Sequence, residues 1–521
     1  MSERAPRRRL RTFLTIIGGI TTAFFLLIVV LIAIRCAMGG ASVPARTILE
    51  IDFERHFVEQ RGSDPVSRIL GGNEASVGDL IAALDRARTD DRVVGLVGHI
   101  GAGDYGMAMT QELREAVQEF RSAGKFALAF SETFGEFGPG NQGYYLATAF
   151  DEIWLQPSGD VGFNGMQSQT MFLRGAFDKL DIDVRMDQRH EYKNAMNMYT
   201  ERSYTAAHRE ALTAVLASLH RQMIRDVAEA RGFTPDAIGA LVDRGPFLGP
   251  EALQERLVDR LGYRDEMLAH LHEKAGTGAE LLFHDQYLER AGKPHQHGTR
   301  IAVVYGVGPV SRGANSFDPI FGGGPTMGSK TVAAALREAI DDPAVKAIIF
   351  RVDSPGGSYV ASDTIWRETV RAKTLGKPII VSMGNLAASG GYFVAMHAAK
   401  IVAQPGTITG SIGVLGGKML TRKLFEKLGV TYDTVKTATN ADMFSDIDDF
   451  SAHGWQRFQA WLDRVYVDFT TKVADGRGLP LEKVQQIAKG RIWSGEDAKN
   501  IGLVDELGGW HVALRLAREA A

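Results

Sequence analysis

A serine directly before two glycines, Ser389 in the sequence AASGGY (387–392), could act as the nucleophile of an acyl transfer. The apolar residues before it are typical of a strand, and Gly390–Ala399 is predicted to begin the helix that follows. At such a junction the N–H group of Gly390 can face the negative oxygen that develops on an attacked carbonyl. The motif alone is weak evidence for catalysis, because a serine before Gly-Gly also commonly caps a helix.

A second glycine-rich turn, DSPGGS (353–358), follows another apolar strand. Its adjacent glycines, Gly356 and Gly357, leave backbone N–H groups open to an anion, because no Cβ shields them. We therefore predict that the N–H groups of Gly390 and of Gly356 or Gly357 form an oxyanion hole beside Ser389.

No histidine close to Ser389 in the sequence is placed to activate it. His397, eight residues further on, would lie about 12 Å along a helix and out of hydrogen-bond reach. The chain has 13 histidines, so a distant one stays open as a base. The single cysteine, Cys36, excludes an intrachain disulfide and any CxxC metal or redox motif, and we expect neither a metal nor a cofactor.

The segments around these two turns alternate between strands and helices. Apolar runs predict strands at 344–352, 378–383 and 400–404, and the intervening patterns predict helices at 331–340, 362–375 and 390–399. This order is typical of a parallel sheet covered by helices, in which sites form where strands end and helices begin.

The body of the chain is an internal repeat. Gly143-Tyr144-Tyr145 lies 248 residues before Gly391-Tyr392-Phe393, and the same offset relates Gln156-Pro157 to Gln404-Pro405, Gly162 to Gly410, and FDKL (177–180) to FEKL (425–428). Chance matches of dipeptides do not keep one offset over such a length. We therefore predict two homologous α/β domains, 45–288 and 301–521, joined by a polar linker at 289–300.

The repeat gives the two halves different chemistry. The position 248 residues before Ser389 is occupied by Asn141, and Gln142 stands where the second half has Gly390. The first half also lacks a Pro-Gly-Gly turn. Only the second half can therefore supply a serine nucleophile at this junction.

The N-terminal residues predict a membrane anchor. Phe13–Ile34 is a run of 22 residues without a charge, which is long enough for a helix to cross about 30 Å of hydrocarbon. A cleaved signal peptide is the alternative, but its apolar core is usually about 7–15 residues long. Five arginines in residues 1–12 predict a basic cytoplasmic tip. We expect a transmembrane segment at 13–36 and a body on the periplasmic side of a bacterial inner membrane.

Charge and length set further limits. A chain of 521 residues exceeds one ordinary domain. Its net charge of −3 divides into +5 for residues 1–36 and −8 for the remainder. An acidic body without a basic patch is a poor nucleic-acid binder, and we expect no nucleic-acid partner.

The anchor, the repeat and three motifs together resemble the signal peptide peptidase A family in its long, double-domain (protease IV) form. The motifs are DSPGGS (353–358), AASGGY (387–392) and GSIGV (410–414). That family belongs to the Clp/crotonase fold group, so the resemblance implies two Clp/crotonase-like α/β domains in tandem. It also implies a serine peptidase with a Ser/Lys dyad that cleaves peptides such as remnant signal peptides and assembles as a homotetramer.

The resemblance implies a role for individual residues. The family's nucleophile lies in the second half and its lysine in the first, which implies Ser389 as nucleophile and Lys193 as general base. Lys193 stands in the sequence YKNA, where the family pattern has a serine in place of Asn194. Single-domain members carry their lysine in the same repeat as the serine, at a position that corresponds here to Ala441. Ser411, in GSIGV, is implied as the residue that orients the lysine.

A lysine acts as a general base only when it is neutral, so its pKa must fall far below the reference value of about 10.4. Burial is the cause that achieves this. We therefore expect Lys193 in a largely apolar pocket where the halves meet, with no carboxylate bonded to it. Glu191 is expected to face away, because neighbouring side chains of an extended segment alternate. The sequence allows the dyad to form within one chain or between subunits.

Three other functions are compatible with parts of the sequence. A crotonase-type acyl-CoA enzyme shares the glycine N–H groups but needs no nucleophile. A catalytically inactive scaffold or peptide-binding module would retain the fold alone. A Clp-type Ser/His/Asp protease would carry its histidine about two dozen residues after the serine, where this chain has GSIGV.

Overall fold

The computed structural model describes residues 18–19, 21–22, 24–27, 42–60, 74–103, 105–318 and 323–521. The predicted cytoplasmic tip at 1–12 and most of the predicted span at 13–36 lie outside the described residues. Within the described residues, none of the helices has the length and apolar character that a membrane crossing requires.

The first half is built on a six-stranded sheet in which every neighbouring pair is parallel. In spatial order the strands are Arg260–Leu261, Glu152–Leu155, Phe126–Ser131, Val93–His99, Thr47–Asp52 and Glu280–Phe283. The central strands are apolar on both faces, as a parallel sheet covered by helices requires. Leu49, Leu96 and Ala129 belong to its main hydrophobic core.

The second half repeats the first five of these six strands. Its strands follow the same spatial order: Glu506–Leu507, Lys400–Ala403, Ile379–Ala388, Val345–Ser354 and Arg300–Val307, all parallel. Ile408–Gly410 extends Ile379–Ala388 in parallel and pairs with Ile492–Ser494 in antiparallel orientation. The two halves are thus one mixed α/β fold in tandem, as the offset of 248 residues predicts.

The helices also correspond between the halves. The first half contains Val77–Arg88, Met107–Ser122, Asn141–Ala147, Arg174–Leu180, Asn197–Thr200, Ala206–Arg231, Pro235–Val242, Gly249–Gln254, Arg264–Ala275 and His284–Ala291. The second contains Ser329–Asp341, Tyr359–Thr374, Gly390–Ala395, Arg422–Lys427, Ala452–Arg477, Leu481–Ile487, Gly495–Asn500 and Trp510–Ala520. Short two-stranded pairs join Phe57–Val58 to Ala75–Ser76, Asp160–Val161 to Phe247–Leu248, Val310–Ser311 to Met327–Gly328, and Phe317–Asp318 to Gly323–Pro325.

The longest helices show why the sequence folds this way locally. Ala206–Arg231 and Ala452–Arg477 each span 26 residues and begin after a hydroxyl residue. Thr205 accepts the N–H of His208, and Ser451 accepts that of Gly454, which satisfies a backbone donor that a helix start leaves unpaired.

The structure differs from the prediction in the length of three elements around the two glycine turns. The strands are Val345–Ser354 and Ile379–Ala388, longer than predicted, because Ser354 pairs with Ala387 and Ile408–Gly410 pairs with the small residues that precede Ser389. Tertiary pairing here overrides weak strand propensity. The helix Gly390–Ala395 is shorter than predicted, because the N–H of Ala399 donates to Ile379 of the neighbouring strand instead of continuing the helix. The predicted linker, 289–300, begins inside the helix His284–Ala291.

The two halves are joined by backbone pairing. Asp183–Gln188 of the first half and Leu415–Leu420 of the second form an antiparallel ribbon six residues long. The ribbon runs directly into the segments that carry Lys193 and Ser411. It therefore fixes the separation of these two segments.

A buried ion cluster forms a second connection between the halves. Arg351 of the second half binds both carboxylate oxygens of Glu59 at 2.8 Å and Glu112 Oε2 at 2.6 Å. All three residues are buried. Glu112 also accepts the backbone N–H of Trp510 at 2.6 Å, which attaches the C-terminal helix to the first half.

Removal of the arginine is expected to leave two buried carboxylates without a partner. Breaking a buried pair in this way costs about 3–5 kcal/mol. We expect Arg351→Ala to lower the free energy of unfolding of the full chain by that amount in denaturant titrations. Arg515→Ala is the control, because Arg515 is half-exposed and its ion pairs with Glu506 and Glu519 are worth roughly 1 kcal/mol or less. Equal losses for the two variants would contradict the stabilising role of the cluster.

Candidate active site

Ser389 occupies a sharp turn between a strand and a helix. It follows Ile379–Ala388 and precedes Gly390–Ala395, with φ 54° and ψ −117°, a conformation that costs energy for a residue with a Cβ. Its N–H donates to the carbonyl of Gly410 at 2.9 Å, which holds the turn against GSIGV. The turn presents the Ser389 hydroxyl towards the first half, as the contacts of Lys193 show.

The glycine after the serine is required by close packing. A Cβ at Gly390 would lie 2.6 Å from Ser362 Oγ and 3.0 Å from the backbone nitrogen of Gly357. Any side chain at this position would therefore push the serine turn away from the DSPGGS turn.

Lys193 brings the first half to this turn. Its Nζ lies 2.9 Å from Ser389 Oγ, 2.9 Å from Ser411 Oγ and 2.7 Å from the carbonyl oxygen of Ser411. The structure thus assembles the three side chains named from the sequence, and it does so within one chain.

Two glycines of the second half make room for the lysine. A Cβ at Gly490 would lie 2.5 Å from Lys193 Cβ, and one at Gly413 would lie 3.3 Å from its Cδ. Neither glycine was predicted as a site residue. Gly413 lies inside the motif GSIGV, whereas Gly490 lies in none of the motifs described above.

Burial alone lowers the pKa of Lys193, to about 7. The residue is only 6% exposed, and no carboxylate pairs with it among the described residues. Glu191 faces away, as predicted, and pairs with Lys489 at 3.3 Å. The amine is therefore able to exist in its neutral form near neutral pH.

Of the three glycines predicted as oxyanion donors, two have an N–H group without an acceptor among the described residues. The N–H of Gly356 donates to Ser354 Oγ at 3.2 Å, so it is occupied. The N–H groups of Gly357 and Gly390 have no acceptor within the described part of the chain, and the two glycines pack against each other. Because Ser354 Oγ binds the N–H of Gly356, the N–H of Gly357 is the one left for an oxyanion. The sequence did not predict this role for Ser354, because a serine at the end of a strand has no pattern that indicates it.

Asp353, the first residue of the DSPGGS turn, ties that turn to the serine strand. Its carboxylate accepts the N–H of Leu386 at 2.9 Å, three residues before Ser389. Burial and, next, the nearby Glu59 raise the pKa of Asp353 to about 6. Because Glu59 also binds Arg351, the turn is in contact with the cluster that joins the halves.

Histidine plays no part in this arrangement. The ring of His397 packs against Trp366, with centroids 6.2 Å apart, and burial lowers its pKa. Within the described residues no histidine hydrogen-bonds to Ser389 or Lys193.

Comparison with known proteins agrees with this arrangement of two halves. Residues 137–278 and 371–521 match Peptidase family S49. Protease 4 of Salmonella typhi is 31% identical over 96% of this chain and 82% of its own length. The chloroplastic serine protease SPPA of Arabidopsis thaliana is 30% identical over 84% of this chain and 64% of its own length. A putative signal peptide peptidase SppA of Enterococcus faecium is 38% identical over 33% of this chain and 50% of its own. The family match in both halves, and the identity to Protease 4 along nearly the whole chain, show that this protein belongs to peptidase family S49.

Proposed function

We propose that this peptidase is a serine endopeptidase in which Ser389 is the nucleophile and Lys193 is the general base. The observation that carries the proposal is the 2.9 Å separation of Lys193 Nζ and Ser389 Oγ inside a pocket without a carboxylate. The relatives named Protease 4 and serine protease SPPA support the reaction class.

The contacts of Lys193 suit a neutral amine. A neutral amine has two N–H donors and one lone pair. Ser411 offers two acceptors, its carbonyl oxygen at 2.7 Å and its hydroxyl at 2.9 Å. When both donors bind Ser411, the lone pair is left to accept the proton of Ser389 Oγ. Ser411 is thus proposed as the residue that orients the base.

The reaction follows from these positions. Lys193 takes the proton of Ser389 as Oγ forms a bond to the scissile carbonyl carbon. The N–H groups of Gly357 and Gly390 bind the tetrahedral oxyanion, and each such donor contributes about 2.7–4 kcal/mol. The Lys193 ammonium then gives its proton to the leaving amine as the C–N bond breaks. Lys193 then takes a proton from water as the water oxygen bonds to the acyl carbon. The bond from that carbon to Ser389 Oγ breaks, and the Lys193 ammonium returns a proton to Oγ.

Two of the three other functions weighed from the sequence make no use of this arrangement. Neither a crotonase-type acyl-CoA enzyme nor an inactive scaffold requires a buried lysine against a strained serine. Burying the lysine costs roughly 4–5 kcal/mol at neutral pH and below, since each pKa unit below 10.5 corresponds to about 1.36 kcal/mol. The requirement that a general base be neutral explains why the fold tolerates a cost of this size.

The substrate and the location are proposed from the sequence and the named relatives. The similarity to the putative signal peptide peptidase of Enterococcus faecium supports remnant signal peptides as substrates. The uncharged run at 13–34 supports a single-pass anchor in a bacterial inner membrane, with the catalytic body on the periplasmic side. We further propose domains at 45–288 and 301–521, and a homotetramer.

The dyad is tested by two substitutions in the full chain. We expect Ser389→Ala and Lys193→Ala each to lower kcat on a fluorogenic apolar peptide by about a thousandfold or more, as for other nucleophile–base pairs. Lys293→Ala is the matched control, because Lys293 is exposed and its ion pair among the described residues is with Asp79. Activity that survives Lys193→Ala in a folded protein would remove the lysine from the mechanism.

The pH dependence of kcat/KM tests the protonation state of the base. Only neutral Lys193 can accept the serine proton, so activity is expected to rise as the pH increases through about 7 and then to level off. The free energy of unfolding is also expected to rise with pH. The folded-state pKa lies below 10.5, so unfolding takes up a proton between about pH 7 and 10.5, and stability rises with pH there. A pH profile that is flat from 5.5 to 8.5 would contradict the proposal.

The anchor is tested by truncation. We expect the full chain to sediment with bacterial membranes and to resist extraction at alkaline pH. Removal of residues 1–40 is expected to release the protein into the soluble fraction. A truncated protein that still resists extraction would show that the attachment lies elsewhere.

A further inference from the structure

A large cavity lies between the two halves, beside the position of the first half that corresponds to Ser389. It has a volume of about 910 Å³, within the usual range for ligand sites, and Asn141 forms part of its wall. Asn141 begins the helix Asn141–Ala147, just as Ser389 directly precedes Gly390–Ala395. The cavity is therefore the counterpart, in the first half, of the catalytic cleft.

The nucleophile position of this cleft is chemically inert. The Asn141 side chain accepts N–H groups from Asn164 at 3.2 Å and Gly165 at 3.1 Å, and it donates to the Gly165 carbonyl at 2.8 Å. It serves to hold the neighbouring loop. Phe163, which corresponds to Ser411, is fully buried against Tyr144.

The oxyanion position is occupied by a side chain. Gln142 Oε1 accepts the N–H of Tyr105 at 3.1 Å and of Gly106 at 3.3 Å. Tyr105 precedes Gly106, the N-cap of Met107–Ser122, as Gly357 precedes Ser358, the N-cap of Tyr359–Thr374. The Gln142 carboxamide oxygen thus occupies the place of an oxyanion. The first half cannot cleave, but its cleft is still open.

The lining of the cavity defines its ligand. It contains five carboxamide side chains, those of Asn141, Gln142, Asn164, Gln167 and Asn385, and apolar walls from Met107, Met166, Leu216, Leu219 and Ile408. The described residues that line it include no charged side chain. The carboxamides of Asn141 and Asn385 and the oxygen of Gln142 already bind backbone groups of this chain. Gln142 Nε2, Asn164 Nδ2 and the Gln167 carboxamide remain to bind a peptide backbone, which has both donors and acceptors. A phosphate, a carboxylate or a metal ion would find no charge to balance its own.

We propose that this cavity is a second peptide-binding site, which holds an extended, uncharged, apolar peptide segment without cleaving it. Asn385 links the site to the catalytic half, because it lies on the strand Ile379–Ala388, four residues and about 13 Å before Ser389. A long substrate can therefore be held at Asn141 while another part of it enters the catalytic cleft. The inference rests on the repeat and the lining, and it goes beyond the proposed dyad.

The test measures peptide binding to the full chain in detergent, with Ser389→Ala to prevent turnover. The probe is an acetylated and amidated ten-residue peptide of alanine, leucine and serine. Isothermal titration is expected to show two equivalents per chain. Leu216→Glu places a charge in the cavity at a half-buried position, and we expect one equivalent to be lost or weakened at least tenfold.

Two further variants separate this effect from misfolding. Gln167→Glu is nearly isosteric at an exposed position of the rim, and we expect it to weaken the same equivalent. Ala217→Glu adds the same charge to an exposed position of the same helix outside the cavity, and we expect it to change neither equivalent.

The outcomes distinguish this inference from the proposed catalytic function. A single equivalent that is lost in Leu216→Glu would support the site in the first half and count against substrate binding at Ser389. Stoichiometry and affinity that are unchanged in both Leu216→Glu and Gln167→Glu would overturn the inference.

Discussion

The arrangement of this protein depends on one amine that is held in the interior without a counter-charge. A buried Lys193 opposes folding, and its environment must prevent both the entry of water and the approach of a carboxylate. The structure meets both requirements by making the pocket from backbone atoms, glycines and the hydroxyl of Ser411. Those groups accept hydrogen bonds without a formal charge, so they orient the amine and leave its pKa near 7.

The unpaired amine contrasts with the fully paired charges nearby. Arg351, Glu59 and Glu112 are equally buried but satisfy one another. Together with the ribbon between Asp183–Gln188 and Leu415–Leu420, they hold the halves in one register. The paired cluster thus fixes the geometry in which the unpaired lysine meets Ser389. The ion pairs of Arg351 hold the halves together, so Lys193 can lie between them without an ion pair of its own.

The sequence predicted much of this arrangement. The constant offset predicted the duplicated fold, and the GG motifs led to Ser389 and to Gly357 and Gly390. Lys193 was identified only through the family resemblance, because an isolated lysine has no pattern that distinguishes it from a solvated one. The rest depends on contacts between residues that are distant in the chain. Gly490 is needed only because Lys193 packs on it, and Gly356 is excluded only because Ser354 takes its N–H.

The division of the site between the halves has a consequence for biosynthesis. The ribosome completes the half with Lys193 before the half with Ser389, and the helix Trp510–Ala520, which attaches to Glu112, is made after both residues. Until the halves dock, Lys193 lacks the burial that lowers its pKa, and Ser389 lacks its contact with the proposed base. In the proposed mechanism, a growing chain is therefore inactive until its two halves meet. Under that mechanism, dividing the site between two halves delays activity until the second half has folded.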